Sequence, residues 1–209
     1  MNFFLPLFPL NLVAFPGESL NLHIFEPRYK QLIQDCLASK SNFGIPSFVH
    51  NTIEFGTEME IKEIVKEYDD GRLDIKTVGK AIIKIEKFIN PIEKKLYAGG
   101  EVSHRKEIQD SDPQVWDEMI LMIKELYKSL NMVEDVKVEA DTKAYDIGHH
   151  VGLSIEQEYE LIQIESETKR QIFITDHLKK SIPVVRNMEK TKERVKLNGH
   201  FKHFDPLNF

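Results

Sequence analysis

Three short blocks near the N-terminus decide the fold of this chain: LPLFPL at residues 5–10, AFPG at 14–17 and HIFEPRY at 23–29. Proline fixes φ and lacks a backbone N–H donor, so it interrupts strands but is tolerated in the first turn of a helix. The blocks contain four prolines, which are Pro6, Pro9, Pro16 and Pro27. They therefore predict short apolar strands followed by a helix that opens at Glu26-Pro27.

Patterns typical of strands continue to about residue 104. Leu20, Leu22 and Ile24 alternate with polar residues, which predicts a strand with one buried face. The Asp-Gly pair within residues 68–71 is a strong turn signal, so the runs on either side of it should form a β-hairpin. One of these runs places four residues on one face and the other places three, namely Met59, Ile61, Glu63 and Val65, and Leu73, Ile75 and Thr77.

Two more strands are predicted further along. One begins at Gly79 and continues from Ala81 to Phe88, and the other covers Tyr97 to Val102. Some six short strands with one helix near the front suggest a small closed or half-closed β-barrel, which hides its sheet edges.

The hydrophobic period changes to that of helices after residue 110. Ser111 opens a Ser-x-x-Gln capping-box pattern with Pro113 in the first turn, and Ser154 opens a second capping box. A third helical stretch contains Ile172 and Phe173, and we expect it to break or restart at Pro183. The fold class is therefore α+β, a β-barrel with one helix followed by a helical bundle.

The polar stretch from His104 to Asp110 has no apolar period and is the predicted linker. It divides the chain into a β-barrel subdomain over residues 1–108 and a helical subdomain with a C-terminal tail over 109–209. Residues 1–108 carry 14 basic and 15 acidic side chains and residues 109–209 carry 14 and 19, giving net charges of −1 and −5. Neither part has the basic excess that drives binding to nucleic acid or to an anionic membrane, so we expect neither partner.

The apolar N-terminus lacks the features of a signal peptide. It has no Lys or Arg before the apolar run, prolines interrupt that run, and no window reaches the roughly 18 to 20 apolar residues that span a bilayer. Cys36 is the only cysteine, so an internal disulfide is excluded and a reducing compartment is favoured. We therefore expect a cytoplasmic protein in which Cys36 is a buried small hydrophobe.

Motifs for nucleotide-driven or hydrolytic chemistry are missing from the sequence. It has no G-x-x-x-x-G-K-[ST] phosphate loop, and we expect no room for a Ser-Lys peptidase domain. The adjacent His149 and His150 would point about 100° apart on a helix, and the His200-x-x-His203 pair lies in a terminal segment. We expect no metal site, no cofactor and no enzymatic activity.

The blocks at residues 5–29, in this order and spacing, resemble the start of the N-terminal, substrate-engaging domain of the ATP-dependent Lon proteases. The likeness continues through Gly71-Arg72-Leu73, Gly79 and residues 96–102, and more weakly through the helical half. One departure is Lys80-Ala81, where the family often has an Arg-Phe or similar pair. The resemblance implies a PUA-like β-barrel followed by a helical bundle, without the motor or the peptidase, and a role in holding unfolded protein substrates.

The leading hypothesis is therefore a non-enzymatic module that binds unfolded protein or peptide segments. Aromatic side chains are good anchors because they supply large contact area at low entropic cost, and the candidates are Phe8, Phe15, Phe25 and Phe48. Each of them could instead belong to the core. We interpret the polar motif Glu26-Pro27-Arg28-Tyr29 as structural, with the carboxylate at a helix N-terminus and Arg28 clamping a loop.

Three alternatives remain open at this point. A PUA-like barrel could bind RNA, which a basic stripe on one face would favour, or it could hold a small-ligand or enzymatic site in a deep pocket with convergent polar groups. The aromatic tail, with Phe201, Phe204 and Phe209, could fold back on the body or support self-association by inserting into a neighbouring molecule.

Overall fold

The computed structural model describes residues 1–49, 51–132 and 138–200, with side chains described as far as residue 195. The first part contains six strands and one helix: β1 (Asn2–Leu7), β2 (Ser19–Ile24), α1 (Pro27–Ser39), β3 (Phe43–Pro46), β4 (Phe55–Glu67), β5 (Leu73–Ile89) and β6 (Ala98–His104). The second part is helical: α2 (Pro113–Ser129), α3 (Ala144–Ile147), a 3₁₀ turn (Gly148–His150), α4 (Ile155–Leu161) and α5 (Glu167–His200).

The strands form one sheet in the order β2-β5-β4-β3-β1-β6, and a further pairing of β6 with β5 closes it into a barrel. The long strand β5 makes closure possible. Its first half pairs with β2, its second half pairs with β6, and β4 follows it along most of its length. The α+β class and the barrel predicted from the sequence are confirmed.

The register of β5 corrects the prediction that a strand starts at Gly79. Gly79 lies inside a continuous strand of 17 residues, opposite Met59. A Cβ atom built at Gly79 would lie 2.2 Å from the Phe15 carbonyl oxygen, so glycine is needed there for close approach of two backbones. A register irregularity between Glu58 and Met59 accompanies this contact.

The predicted hairpin is confirmed, with Tyr68 to Arg72 as its connection and a backbone hydrogen bond from Gly71 N to Tyr68 O. The predicted face of β4 is only partly right. Met59 is buried and Ile61 is half-buried, whereas Glu63 and Val65 are exposed, because both faces of β4 are exposed from residue 62 to its end at Glu67.

The helix starts were predicted well, apart from the first cap of the helical part. Pro27 and Pro113 both open helices, and Ser154 forms the expected capping box with Gln157. At α2, however, Asp112 is the N-cap and accepts a hydrogen bond from Gln114 N. The Ser111 hydroxyl is directed instead to the Gln171 side chain.

The predicted break at Pro183 is wrong, because α5 runs through Pro183 without interruption. Pro183 is exposed, while Leu178 and Ile182 on the same helix are fully buried in the core shared with α2. Packing of this buried face outweighs the loss of one backbone hydrogen bond on the solvent side.

A shared hydrophobic cluster joins the helical part to the barrel, which also has clusters of its own. Val13, Phe15, Val49 and Ile82 from the barrel join a cluster made mostly of residues from α2 to α5. The linker predicted at residues 104–110 is also bound to the helical part, because Ile108 forms backbone hydrogen bonds with Glu165 and Glu167. The division of the chain into two subdomains at residue 108 therefore stays a prediction from the sequence pattern.

Candidate peptide-binding groove

A cavity of about 410 Å³ opens on the barrel surface beside the start of α1. We call it the Phe48 groove. Its walls come from β1, α1, β5, β6 and the segments that follow β1, β3 and β5, and they consist of Leu7, Pro9, Arg28, Tyr29, Phe48, Asn51, Ile53, Phe88, Asn90 and Ala98. Segments far apart in sequence therefore meet at one concave surface, as is usual for binding sites.

The floor and rim of the groove are apolar. Leu7 and Ala98 are buried, and Pro9 and Ile53 are half-buried. At the rim, Phe48 is 45% exposed and Phe88 is 37% exposed, although both are large aromatic side chains. Partly exposed aromatic rings at the edge of an apolar cavity are suited to hold another apolar side chain.

Tyr29 adds a polar group to the groove. Its side chain is only 7% exposed, and its ring stacks on Phe8 at a centroid distance of 3.7 Å. No hydrogen bond from the Tyr29 hydroxyl to any described residue is found. Burial raises the pKa of Tyr29, so the hydroxyl stays protonated and can donate to an acceptor in the groove.

Arg28 is held in place within its own motif. Its guanidinium lies 2.8 Å from the Glu26 carboxylate and 4.4 Å from the centroid of the Tyr29 ring. Glu26 itself makes no side-chain cap to α1. The motif Glu26-Pro27-Arg28-Tyr29 therefore starts α1 through Pro27, and its side chains order one wall of the groove.

The four predicted aromatic anchors lie in different places. Phe8 is 6% exposed and Phe15 is 1% exposed, so both are core residues and neither can contact a partner at the surface. Phe48 lines the groove. Phe25 is 58% exposed but lies outside it, with its ring 6.0 Å from that of His23.

Sequence reasoning missed Phe88, Ile53 and the two asparagines of the groove. Phe88 ends a run of residues whose pattern is that of an ordinary strand. Ile53 and Asn51 lie in a short stretch that has no hydrophobic periodicity. Only the closed barrel brings the end of β5 next to the segment after β3. The one available signal is Asn90-Pro91, which marks the end of a strand, where binding residues often gather.

A second cleft, of about 410 Å³, lies between the barrel and the helical part. It borders a buried ion network in which Arg170, 1% exposed, pairs with Glu107 at 2.8 Å and with Glu167 at 2.9 Å. Arg105 pairs with the other oxygen of Glu107. The charges in this network are matched in number, so it is suited to joining the two parts of the chain.

Cys36 and the lining of the Phe48 groove can be checked for groups that catalyse reactions or bind metals. Burial raises the pKa of the Cys36 thiol to about 11, which keeps it protonated and unreactive. Among the described residues that line the Phe48 groove there is no carboxylate, histidine, serine or cysteine. Within the described ranges, no three His, Cys, Asp or Glu side chains are grouped to hold a metal ion.

Two predictions about the C-terminus cannot be compared with the structure. His203 and the aromatic residues Phe201, Phe204 and Phe209 lie outside the described residues. In the parts of the chain that are described, no helix has both the length and the hydrophobicity needed to cross a membrane.

Comparisons with known proteins agree with the resemblance seen in the sequence. The family model of the ATP-dependent protease La (LON) substrate-binding domain matches residues 4–180. A comparison with curated proteins gives no match.

Two solved structures share the fold. A Lon N-terminal domain protein from Xanthomonas campestris is 25% identical, with a TM-score of 0.62 over 80% of this chain and 94% of that one. The N-terminal domain of a Mycobacterium avium complex Lon protease is 14% identical, with a TM-score of 0.63 over 84% of this chain and 98% of that one. At that identity, the second likeness concerns the fold alone.

Proposed function

Because this chain belongs to the family of Lon substrate-binding domains, we propose that it is a non-enzymatic module that holds unfolded protein segments in the Phe48 groove. The observation that carries this proposal is the pair of partly exposed rings, Phe48 and Phe88, in a groove also lined by Tyr29, whose hydroxyl has no hydrogen-bond partner among the described residues. We propose the cytoplasm as its location, on the sequence grounds given above.

The groove suits an extended peptide with one apolar side chain. About 410 Å³ is at the lower end of the range for small-molecule pockets, and it is enough for a Phe or Leu side chain with adjacent backbone. The peptide backbone offers carbonyl acceptors, which the Tyr29 hydroxyl can meet. Unfolded chains expose both features, whereas folded proteins bury most of their large apolar side chains.

The absence of a carboxylate, histidine, serine or cysteine among the described lining residues supports holding without cleavage. A bound segment would be released unchanged. The test for this part is direct: a permanently unfolded, alkylated model protein is incubated with the chain and analysed by mass spectrometry. We expect the intact model protein, and new cleavage products would contradict the proposal.

Binding is tested with fluorescent extended peptides that differ only in one central residue, Phe, Leu or Asp. Fluorescence anisotropy should show tighter binding of the Phe and Leu peptides than of the Asp peptide. The double variant Phe48→Ser/Phe88→Ser should lower the affinity for the Phe peptide about tenfold or more, as expected for removal of aromatic anchors.

The matched control is Phe25→Ser, which removes an aromatic side chain of similar exposure outside the groove. Its affinity should equal that of the unmodified chain. Equal weakening by Phe25→Ser and by the groove variant would show that binding depends on general surface hydrophobicity, and absence of binding to all three peptides would also overturn the proposal.

A further inference from the structure

The C-terminal half of α5 carries an exposed apolar stripe. Val184 and Met188 are each 57% exposed and Val195 is 65% exposed. Their spacings of four and seven residues place them on one face of the helix. Leu178 and Ile182 face the core, so this stripe is a second apolar face, which we call the Met188 stripe.

The helix around the stripe is strongly basic, in contrast to the rest of the chain. Residues 179–195 contain six Lys or Arg and two Glu, a net charge of +4, whereas the whole chain has a net charge of −6. The rest of the chain therefore has a net charge of −10. A positive segment on an acidic protein creates a local field that attracts negative partners.

Two lysines border the stripe, one on each side, and the two glutamates of this segment lie further from it. At about 100° per residue, Lys180 and Lys192 lie about 60° from the stripe centre, one on either side of it, while Glu189 lies about 120° and Glu193 about 160° away. Lys192 pairs with Glu189. Among the described residues, Lys180 has no ion pair.

We propose that the Met188 stripe docks an amphipathic helix of a partner protein, one whose apolar face is flanked by Glu or Asp. The apolar side chains would supply burial, and Lys180 and Lys192 would meet the acidic flanks of the partner. This surface lies on α5, away from the barrel residues of the Phe48 groove, so the inference does not depend on the proposed function.

Charge excludes the simplest alternatives. In a symmetric pair of copies, each stripe would face the same basic flanks, which repel one another. An anionic membrane would attract the helix but repel the rest of the chain, whose net charge is −10. A nucleic acid would use the basic side chains and have no need of Met188 and the two valines.

The test uses the full chain and a designed helical peptide with Leu at heptad positions and Glu at the flanking positions. We expect anisotropy to detect binding that weakens with added salt. The variant Lys180→Glu/Lys192→Glu should weaken it about tenfold or more, and Met188→Ser should weaken it several-fold. Both changes are at exposed positions and should leave the fold intact.

The matched control is Lys76→Glu/Lys169→Glu, the same change of charge at exposed positions away from the stripe, and it should bind like the unmodified chain. Equal loss in the control would reduce the effect to net charge and overturn the proposal. So would equal binding of a peptide with Lys in place of Glu, a dimer that forms through the stripe, or a preference for single-stranded RNA or phosphatidylserine vesicles that Met188→Ser does not change.

Discussion

His149 and Glu18 join the helical part to the loop that leads into β2, with 3.2 Å between the His149 Nε2 and the Glu18 Oε2 atoms. The other ring nitrogen, Nδ1, lies 2.8 Å from the Glu158 carboxylate of α4. The ring also packs on Phe15 at a centroid distance of 4.4 Å. One imidazole thus holds three segments of the chain together.

This arrangement predicts a pH-dependent stability. The hydrogen bond with Glu18 raises the pKa of His149 to about 9, against the opposing effect of burial. Since the folded pKa lies above the unfolded value, the stabilisation is complete below about pH 6.5 and is lost as the pH rises through about 9. We expect a loss of about 1 kcal/mol for this partly exposed group, measured by urea unfolding.

The control for this prediction is His149→Gln, which keeps a polar side chain but cannot be charged. Its free energy of unfolding should be lower than that of the unmodified chain at pH 6 and nearly equal to it at pH 10. A constant difference between the two proteins across this range would contradict the role of protonated His149.

Arg170→Met should destabilise the protein strongly. Arg170 is 1% exposed and Glu167 is 2% exposed, so removing the guanidinium leaves a buried carboxylate without its cationic partner, although Ala144 N and the Gln171 amide still donate to it. Breaking one side of a buried pair costs about 3 to 5 kcal/mol. Chemical denaturation measures the loss, and Lys169→Met, at an exposed neighbour, should change stability by less than about 0.5 kcal/mol.

Gly79→Ala should also destabilise the protein, by about 3 kcal/mol. The added methyl would lie 2.2 Å from the Phe15 carbonyl oxygen, and only separation of the two backbones could relieve this contact. The comparison is Lys76→Ala, at an exposed position of the same strand. Similar thermal unfolding midpoints for the two variants would show that the backbones can separate easily.

Pro183→Ala should stabilise the protein, by about 2 kcal/mol, because it restores a helical hydrogen bond at an exposed position inside α5. Val184→Ala, one residue further, removes exposed apolar surface and should have little effect. A lower stability of Pro183→Ala would mean that proline contributes more by restricting the unfolded chain than it removes from the helix.

Tyr29→Phe separates binding from folding. The Tyr29 hydroxyl has no hydrogen-bond partner among the described residues, so its loss should change stability by less than about 0.5 kcal/mol. If the hydroxyl donates to a bound peptide, the affinity for the Phe peptide should fall about three- to tenfold, as for one hydrogen bond. Unchanged affinity would remove Tyr29 from the site.

Local patterns in the sequence predicted the elements whose causes are local. The alternation in β2, the prolines that open α1 and α2, and the capping box at Ser154 all act within a few residues. The predictions at Gly79 and Pro183 were wrong because contacts outside the local pattern decide the structure there. Gly79 lies close to the Phe15 backbone, and α5 continues through Pro183 because residues on both sides of it pack in the core.

The candidate site was only partly predictable for the same reason. Phe48 and the Arg28-Tyr29 wall could be chosen as conspicuous residues, but exposure separates them from Phe8 and Phe15, which have the same residue type as Phe48 and lie in the core. Phe88 comes to the groove through closure of the barrel between β5 and β6. No pattern within β5 indicates that pairing.

The position of Phe15 bears on how the chain folds and is degraded. Its ring lies 5.4 Å from that of Tyr145, and a side chain on Gly148 would collide with it, so a barrel residue fills the interior of the helical part. A fragment cut at residue 108 would leave this ring in water. We therefore expect one cooperative unfolding transition for both parts, and a protease that cleaves between them to release fragments that do not persist.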